Sequence, residues 1–466
     1  MLRSASLIRT STRSITMRSI QTFGKPDLDY RGVFENEKLF KDTILKKKLS
    51  HNVLKQVDYI KDNYPVVATL GKELGELKRK REEMTVEMRE VASTNSHRAD
   101  EIKQNLRNIK NSITKLDKER NRIKDKMRLA AEDMPTLVDG TIPKGIRDEE
   151  VVALINCESI EQVETNSDKK ALSHKVIGEK LGLLDLETAA RVCGHAFYYL
   201  LGDAALLEQA LVQYALNLAR AKGYKIVAPP TMVRQEVIGA CGFRPRDQGE
   251  ETQVYDLVKD HLSLTGTAEI PLAALESKKI FTEKEVEKFP VKYVGVARSY
   301  RAEAGSRGAT TAGLYRVHEF TKVELFHFTT PDRARQELEE LREFQTDFIT
   351  SLGLKAKVLN MPSSDLGAPA AKKYDIEAWM PGRKTWGELT SSSWCGEYQA
   401  RRMGIRYRAS EGKVNYVHTL NGTAVAVPRV IVAILENFYD AETESIEIPE
   451  VLRVYMGGRD RIYKNE

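Results

Sequence analysis

Three stretches of the chain concentrate charged and hydroxyl side chains inside strand-like surroundings, the residue types from which a polar ligand site is built. The first runs Ser299-Tyr300-Arg301-Ala302-Glu303-Ala304-Gly305 and returns through Leu314-Tyr315-Arg316-Val317-His318-Glu319-Phe320-Thr321-Lys322-Val323-Glu324. Alternate residues of a strand share a face, so a strand over 314–328 points Arg316, His318, Phe320, Lys322 and Glu324 one way. A core face does not hold Arg, Lys and Glu unpaired, which leaves a solvated sheet face or a polar binding floor. The second stretch is Trp386-Gly387-Glu388-Leu389-Thr390-Ser391-Ser392-Ser393. The third is His418-Thr419-Leu420-Asn421-Gly422-Thr423-Ala424, with Arg429 opening a helix. Thr267-Ala268-Glu269, just before Pro271, reads from its residue types as a helix-capping sequence.

Other chemistries are disfavoured. The glycines at Gly305, Gly308 and Gly313 mark a loop and not a dinucleotide fingerprint, and no Walker A sequence occurs. Cys157, Cys193, Cys241 and Cys395 are widely spaced without a C-x-x-C pair, which argues against a disulfide framework and a cysteine zinc site. No apolar run approaches the roughly 18 residues of a membrane span.

The elements that must position these residues are legible from periodicity. An amphipathic helix is predicted from Leu206 to Arg220, then a strand at Tyr224-Lys225-Ile226-Val227-Ala228 before Pro229-Pro230. Further strands are expected at Lys292 to Tyr300, Leu314 to Phe328 and Tyr374 to Trp379, with helices at 332–351 and 428–439. Strands that follow one another without an intervening helix predict a mostly antiparallel sheet, an α+β body and not a doubly wound one.

Ahead of that body lies a heptad pattern. Leu70, Leu74, Leu77, Arg81, Met84, Met88 and Val91 step by fours and threes, as do Ile102, Leu106, Ile109, Ile113, Leu116, Arg120, Ile123 and Met127. The turn-rich Ser93 to Asp100 between them forces an antiparallel coiled-coil hairpin over about 66–130, with the two seam arginines laying their methylenes along the seam. From Lys72 to Arg128 there are 17 Lys/Arg against 11 Asp/Glu, which matches the whole chain's net charge of +6. Such charge fits either a solvated coiled-coil face or a polyanion-binding surface. Pro135 and Asp139-Gly140-Thr141-Ile142-Pro143-Lys144-Gly145 end this N-terminal domain, placed at 26–140, and lead into a body at 141–466. Before Asp27 there is no acidic residue, while Arg3, Arg9, Arg13, Arg18 and Lys25 alternate with Ser, Thr, Leu and Ile. That is the composition of an organelle transit peptide over about 1–25.

The motifs carry a family resemblance. YRAEAG (300–305) with GLYRVHEFTKVELF (313–326) resembles motif 2 of the class II aminoacyl-tRNA synthetases. HTLNGTAVAVPRVIVAILENF (418–438) resembles their motif 3 in its seryl version, and GYKIVAPPTMVR (223–234) the end of motif 1. LTGTAEIPL (264–272), GELTSSSWCGEYQARR (387–402) and HKVIGEKLGLLDLETAARVCG (174–194) complete a likeness to seryl-tRNA synthetases of the bacterial and organellar type.

The resemblance implies serine activation by ATP, transfer to the tRNA 3′ end, Mg²⁺, a homodimer built on motif 1, a tRNA-reading arm and residence in the mitochondrial matrix. It assigns Arg301, Glu388 and Arg429 to catalysis, with Arg301 on the α-phosphate and Arg429 on the γ-phosphate. ATP contacts extend to Ala302, Glu303, Val317, Phe320, Leu389, Thr390 and Ser391, and Glu388 with Ser391 holds the metal. Serine falls to Thr267, Ala268, Glu269, Glu324, Asn421 and Thr423. His318 receives no catalytic role, and Arg401 and Arg402 read as structural. Three departures stand out: an uncharged motif 2 loop at 308–313, Ala424 and Pro428.

Overall fold

In the computed structural model, residues 25–91, 96–143, 145, 148–166, 170–243, 254–257, 261–303, 313–410 and 412–464 are described. The basic N-terminal segment and most of the motif 2 loop lie outside them.

Two short helices, α1 (Tyr30–Glu35) and α2 (Glu37–Lys46), precede the long α3 (His51–Val91) and α4 (Ser96–Glu132). Gln56 bonds Asp133, Gly71 lies beside the Arg120 guanidinium and Glu87 pairs with Arg98, so numbers rise on one helix as they fall on the other. The hairpin is antiparallel. Its helices start and end beyond the expected 66–130, because residues 51–64 of α3 pack into a base. There Val53, Val57 and Ile60 meet Val33, Phe40, Ile44, Ile123 and Met127. Farther out the seam thins to Leu74, Ala99, Ile102 and Ile109 as the buried hydrophobic residues among those described. Arg120 is half-buried over Gly71, where the missing side chain leaves it room, as a seam arginine should be, whereas Arg81 is exposed.

The body is built on one eight-stranded sheet among the described residues. In chain order its elements include β1 (Glu150–Ile155), α5 (His174–Lys180), α6 (Asp203–Ala221), β2 (Lys225–Val227), α7 (Glu269–Ala274), β3 (Val291–Tyr300) and β4 (Glu319–Thr329). Then follow α8 (Ala334–Ser351), β5 (Ala356–Asn360), β6 (Lys372–Met380), β7 (Thr385–Trp394), α9 (Tyr398–Met403), β8 (His418–Ala426) and α10 (Val427–Phe438). The strand order is β1-β5-β6-β7-β8-β4-β3-β2, antiparallel throughout except for the edge pair β2 and β3. Helices α6, α8 and α10 cover one face through a core that includes Leu207, Leu211, Val294, Val323, Leu325, Leu341, Phe344, Ile376 and Ile431. The opposite face carries Tyr293, Ala297, Phe326 and Phe328, which pack with α7 and α9. Residues of β3 and β4 thus alternate between two cores, as the pleat requires.

One sequence expectation needs correction. The strand expected from Leu314 begins at Glu319, so Phe320, Lys322 and Glu324 share a face but Arg316 and His318 precede the strand. The His318 N–H donates to the Ala196 carbonyl and the Arg301 N–H to that of His318, contacts that end the ladder.

The two parts meet at Lys47, whose buried ammonium donates to the carbonyls of Gly367, Ala368 and Ala370 at 3.2, 3.1 and 2.7 Å. Arg402 adds bonds to the carbonyls of Glu132 and Met134, and Arg401 pairs with Glu397, which fits their structural reading.

Candidate functional site

Four adjacent strands place polar residues on the face opposite the helices. β6 contributes Lys373 and Asp375, β7 Glu388 and Ser391, β8 Asn421 and Thr423, and β4 Phe320, Lys322 and Glu324, matched across the sheet by register. Glu388 and Ser391 are an odd number apart and would fall on opposite faces of a regular strand. The register slips by one residue at Leu389, between the pairs Glu388 with Glu377 and Thr390 with Ile376, and this bulge brings both to one face. A second slip at Ala424 brings Ala426 to the face of Thr423. The bulged strands are braced from behind: the Gln345 amide donates to the carbonyls of Ser391 and Thr423, both at 2.9 Å. Ala424 packs into the helix-side core, and Pro428 sits in the first turn of α10, where its missing N–H costs nothing.

Above this face opens a cleft of about 280 Å³ lined by Arg301, Glu303, Tyr315, Arg316, Val317, Phe320, Lys322, Lys373, Glu388, Leu389, Ser391, Thr423 and Arg429, among others. Cations outnumber carboxylates along it. Arg301 leaves the end of β3, donates to the Gly266 carbonyl at 3.2 Å and lies 5.3 Å from the Phe320 ring centre. Burial, and then Arg429, lowers its pKa, the signature of crowded positive charge that an anion would relieve. Arg429, at the start of α10, donates to the carbonyls of Tyr315 and Glu388 at 3.3 and 3.1 Å and stacks on Tyr315. It also lies 3.3 Å from the Glu388 carboxylate. Burial alone would raise Glu388, but Arg429, Lys373 and Arg301 outweigh it and hold the carboxyl at about 2. Glu303 lies 3.4 Å from Arg316.

No cluster of three metal-ligating side chains occurs among the described residues. A Glu388 carboxyl held ionised at neutral pH, with the Ser391 hydroxyl on the same face, is nevertheless an oxygen donor pair that would suit Mg²⁺.

Beneath the cleft is a smaller, drier network. Lys322 pairs with buried Glu324 at 2.6 Å and donates to the Thr267 hydroxyl at 3.2 Å. The Thr423 hydroxyl approaches Glu324 at 3.5 Å, and the Asn421 amide donates to the Cys395 sulfur at 3.6 Å. Glu269, the first residue of α7, accepts from Gln399 at 2.7 Å, and Gln399 in turn accepts from Thr419 at 2.7 Å. Burial and then Glu324 raise the Glu269 pKa to about 7. The helix-capping reading of 267–269 does not hold as a side-chain cap: Ala268 occupies the cap position without a side-chain bond, and the Thr267 hydroxyl only accepts from the Glu269 N–H at 3.3 Å.

Not every expected residue presents a side chain to these spaces. Thr390 is buried and its hydroxyl donates to the Thr423 carbonyl, which makes it a brace. Ala268 packs into the core beside α7, and Ala302 is absent from the cleft lining. Sequence reasoning placed Lys322 on the right face without a role and overlooked Lys373, Gln399, Tyr315 and Cys395. Lys373 had no motif to mark it; its signal was register, two strands away. His318 lies among His195, Phe197 and Tyr255, consistent with a packing and hydrogen-bonding role.

Residues 253–438, which hold six of the eight strands and the residues lining the cleft, match the family model for the tRNA synthetase class II core domain (G, H, P, S and T). The mitochondrial serine–tRNA ligase of Saccharomyces cerevisiae is 41% identical over 442 residues, covering 93% of this chain and 96% of its own. That of Schizosaccharomyces pombe is 45% identical over 335 residues, 69% of this chain and 66% of its own. The crystal structure of seryl-tRNA synthetase from Pyrococcus horikoshii complexed with ATP aligns with a TM-score of 0.85 at 33% identity, covering 94% of this chain and 100% of that one. The chain belongs to the serine–tRNA ligase family and is an aminoacyl-tRNA synthetase of the serine type.

Proposed function

We propose that this chain activates L-serine with ATP to seryl-adenylate and pyrophosphate, then passes the seryl group to the 3′ end of a serine tRNA. The observation that carries this reading is the cation-rich cleft, with Arg301 and Arg429 at its two sides, opening onto the buried polar network around Glu324. Attack of the serine carboxylate on the α-phosphate needs alignment and charge neutralisation more than covalent help. Arg301 takes the α-phosphate, and Arg429 the γ-phosphate. Phe320 takes the adenine ring, with Glu303 and the Val317 backbone at its edge. Ala302, Leu389 and Thr390 shape the site through backbone and packing. Glu388 and Ser391 would hold Mg²⁺, which supplies charge neutralisation to the phosphates when bound.

Thr267, Ala268 and Glu269 lie over the serine ammonium, Glu324 binds the ammonium and hydroxyl region, and Asn421 and Thr423 complete the pocket. A small site built to pair a hydroxyl rejects alanine, because alanine leaves those buried groups unpaired.

The basic hairpin reads the tRNA by shape and phosphate contacts, which its surplus of Lys and Arg supports. Residues 26–140 form the tRNA-binding domain and 141–466 the catalytic one. The enzyme works as a homodimer, supported by exposed apolar Ile226 on the edge strand β2 and Leu206 on the adjoining α6, with Tyr199, Leu201 and Met232 also exposed. It acts in the mitochondrial matrix after removal of a basic leader of about 25 residues. The test is ATP–pyrophosphate exchange by protein lacking that leader, with each amino acid in turn, followed by charging of serine tRNA. Exchange with serine alone supports the reading; exchange with another amino acid, or with none, ends it.

A further inference from the structure

His174 opens α5 in a stretch that the reaction chemistry leaves without a task, and it is 3% exposed. Its Nδ1 lies 2.8 Å from Glu436 Oε1, and its Nε2 lies 3.1 Å from the backbone nitrogen of Leu314. A backbone N–H can only donate, so Nε2 carries the lone pair and the ring proton sits on Nδ1, facing the carboxylate. Glu436 is itself fixed, since Oε1 also accepts the His174 N–H and Oε2 accepts the Arg383 N–H, both at 3.1 Å. Gly313 has φ +76°, and a Cβ there would overlap Nε2; the glycine lets the chain come within reach of the ring.

One residue beyond Leu314, Tyr315 joins this frame to the nucleotide cleft. Its carbonyl accepts from Arg429 Nε, its hydroxyl donates to the Glu388 carbonyl at 3.3 Å, and its ring lies 4.7 Å from the Arg429 guanidinium carbon and 3.7 Å from that of Arg383. Arg429 and Glu436 stand on the same helix, α10, two turns apart. One rigid element therefore supplies both the phosphate arginine and the carboxylate that sets the imidazole tautomer.

We propose that His174 is a positioning residue for the ATP step: by holding the Leu314 N–H it fixes Tyr315, and through Tyr315 it orients Arg429 toward the terminal phosphate. This rests on reading the Arg301–Arg429 cleft as the ATP site. The bond that matters is the one accepted by Nε2, and two conservative replacements separate it from the bond to Glu436. A glutamine carbonyl reaches the Nε2 position and accepts from Leu314, whereas an asparagine amide reaches only the Nδ1 position and donates to Glu436.

The experiment measures KM for ATP and for serine separately, in serine-dependent pyrophosphate exchange by the full dimer, with active sites titrated by adenylate formation. His174→Ala and His174→Asn should raise the ATP KM about tenfold at unchanged serine KM, and His174→Gln should stay within about twofold of the parent. An asparagine variant that behaves like the parent overturns the proposal. So does a glutamine variant as impaired as alanine, or a loss of active sites without a change in ATP KM. Should the His174 variants fail to fold, Glu436→Met keeps the length of the side chain but has no oxygen to accept the Nδ1 proton; its ATP KM must then rise several-fold, and an unchanged value refutes the role. A parent enzyme without serine-dependent exchange would instead refute the reading of the cleft itself.

Discussion

Glu269→Gln removes a carboxylate that is half protonated at neutral pH, because burial and the neighbouring Glu324 raise its pKa to about 7. The serine ammonium needs the ionised form. The ionised fraction is about a tenth at pH 6, about half at pH 7 and about nine-tenths at pH 8, so apparent serine affinity should rise about tenfold across that range. Exchange at saturating ATP and constant ionic strength reads this as a serine KM falling about tenfold from pH 6 to 8. Asp375 and Lys47 also have pKa values near this range, raised to about 7 by burial in the first and lowered to about 7 by burial in the second, so the variant decides the assignment. Glu269→Gln should bind serine more weakly, with a KM that no longer depends on pH between 6 and 8. A parent enzyme with a flat profile, or a variant that keeps the slope, would refute the argument. The stability sign is opposite. A carboxyl raised above its unfolded value keeps its proton longer in the folded state, so its contribution is full below about 4.5 and is lost as pH rises through about 7. The glutamine variant should therefore gain on the parent in urea midpoint as pH increases.

Other changes test other parts. Arg301→Ala should lower serine-dependent exchange by roughly 10²–10³ while the dimer elutes unchanged in size-exclusion chromatography; a dissociated or unfolded product would mean the arginine is structural. The pairing of Gly71 with Arg120 and Glu87 with Arg98 sets Lys78 opposite about Ser112. Deleting Lys78 to Ser112 behind a short turn should leave exchange within about twofold and reduce tRNA charging more than about tenfold; undiminished charging would make the arm a spacer. Lys47→Met removes the side-chain donor to three carbonyl oxygens at the join between the two parts; those of Gly367 and Ala368 keep a backbone donor, and that of Ala370 loses its bond. It should cost about 3 kcal/mol, read as a lower urea midpoint, and an unchanged midpoint would show that the contact contributes nothing.

The hairpin and the helices of the body were readable as periodicity, because a heptad or a 3.6-residue stripe is a local pattern that names its own partner face. The family motifs likewise marked Arg301, Glu324, Glu388, Asn421 and Arg429 by order along the chain. Periodicity misled at Arg316 and His318, where an apparent alternation ran past the end of the ladder, since the strand begins only at Glu319. It was also silent on Lys373, whose residue type is ordinary for a strand and whose place in the cleft comes from its pairing with Ser393. Gln399 and Cys395 were within a quoted motif, but nothing in their spacing says that one fixes Glu269 and the other meets Asn421.

By itself the sequence determined the α+β class, the antiparallel basic arm, the ordered motifs and so the family, because each is written in neighbouring residues. Tertiary structure alone decided that a single-residue bulge at Leu389 turns Glu388 onto the face of Ser391, and one at Ala424 turns Ala426 onto the face of Thr423. It also decided that Glu269 titrates near neutrality and that His174 anchors Leu314 from 140 residues away. Register, burial and charge crowding depend on which strands and helices become neighbours, and that is settled only when the sheet is assembled.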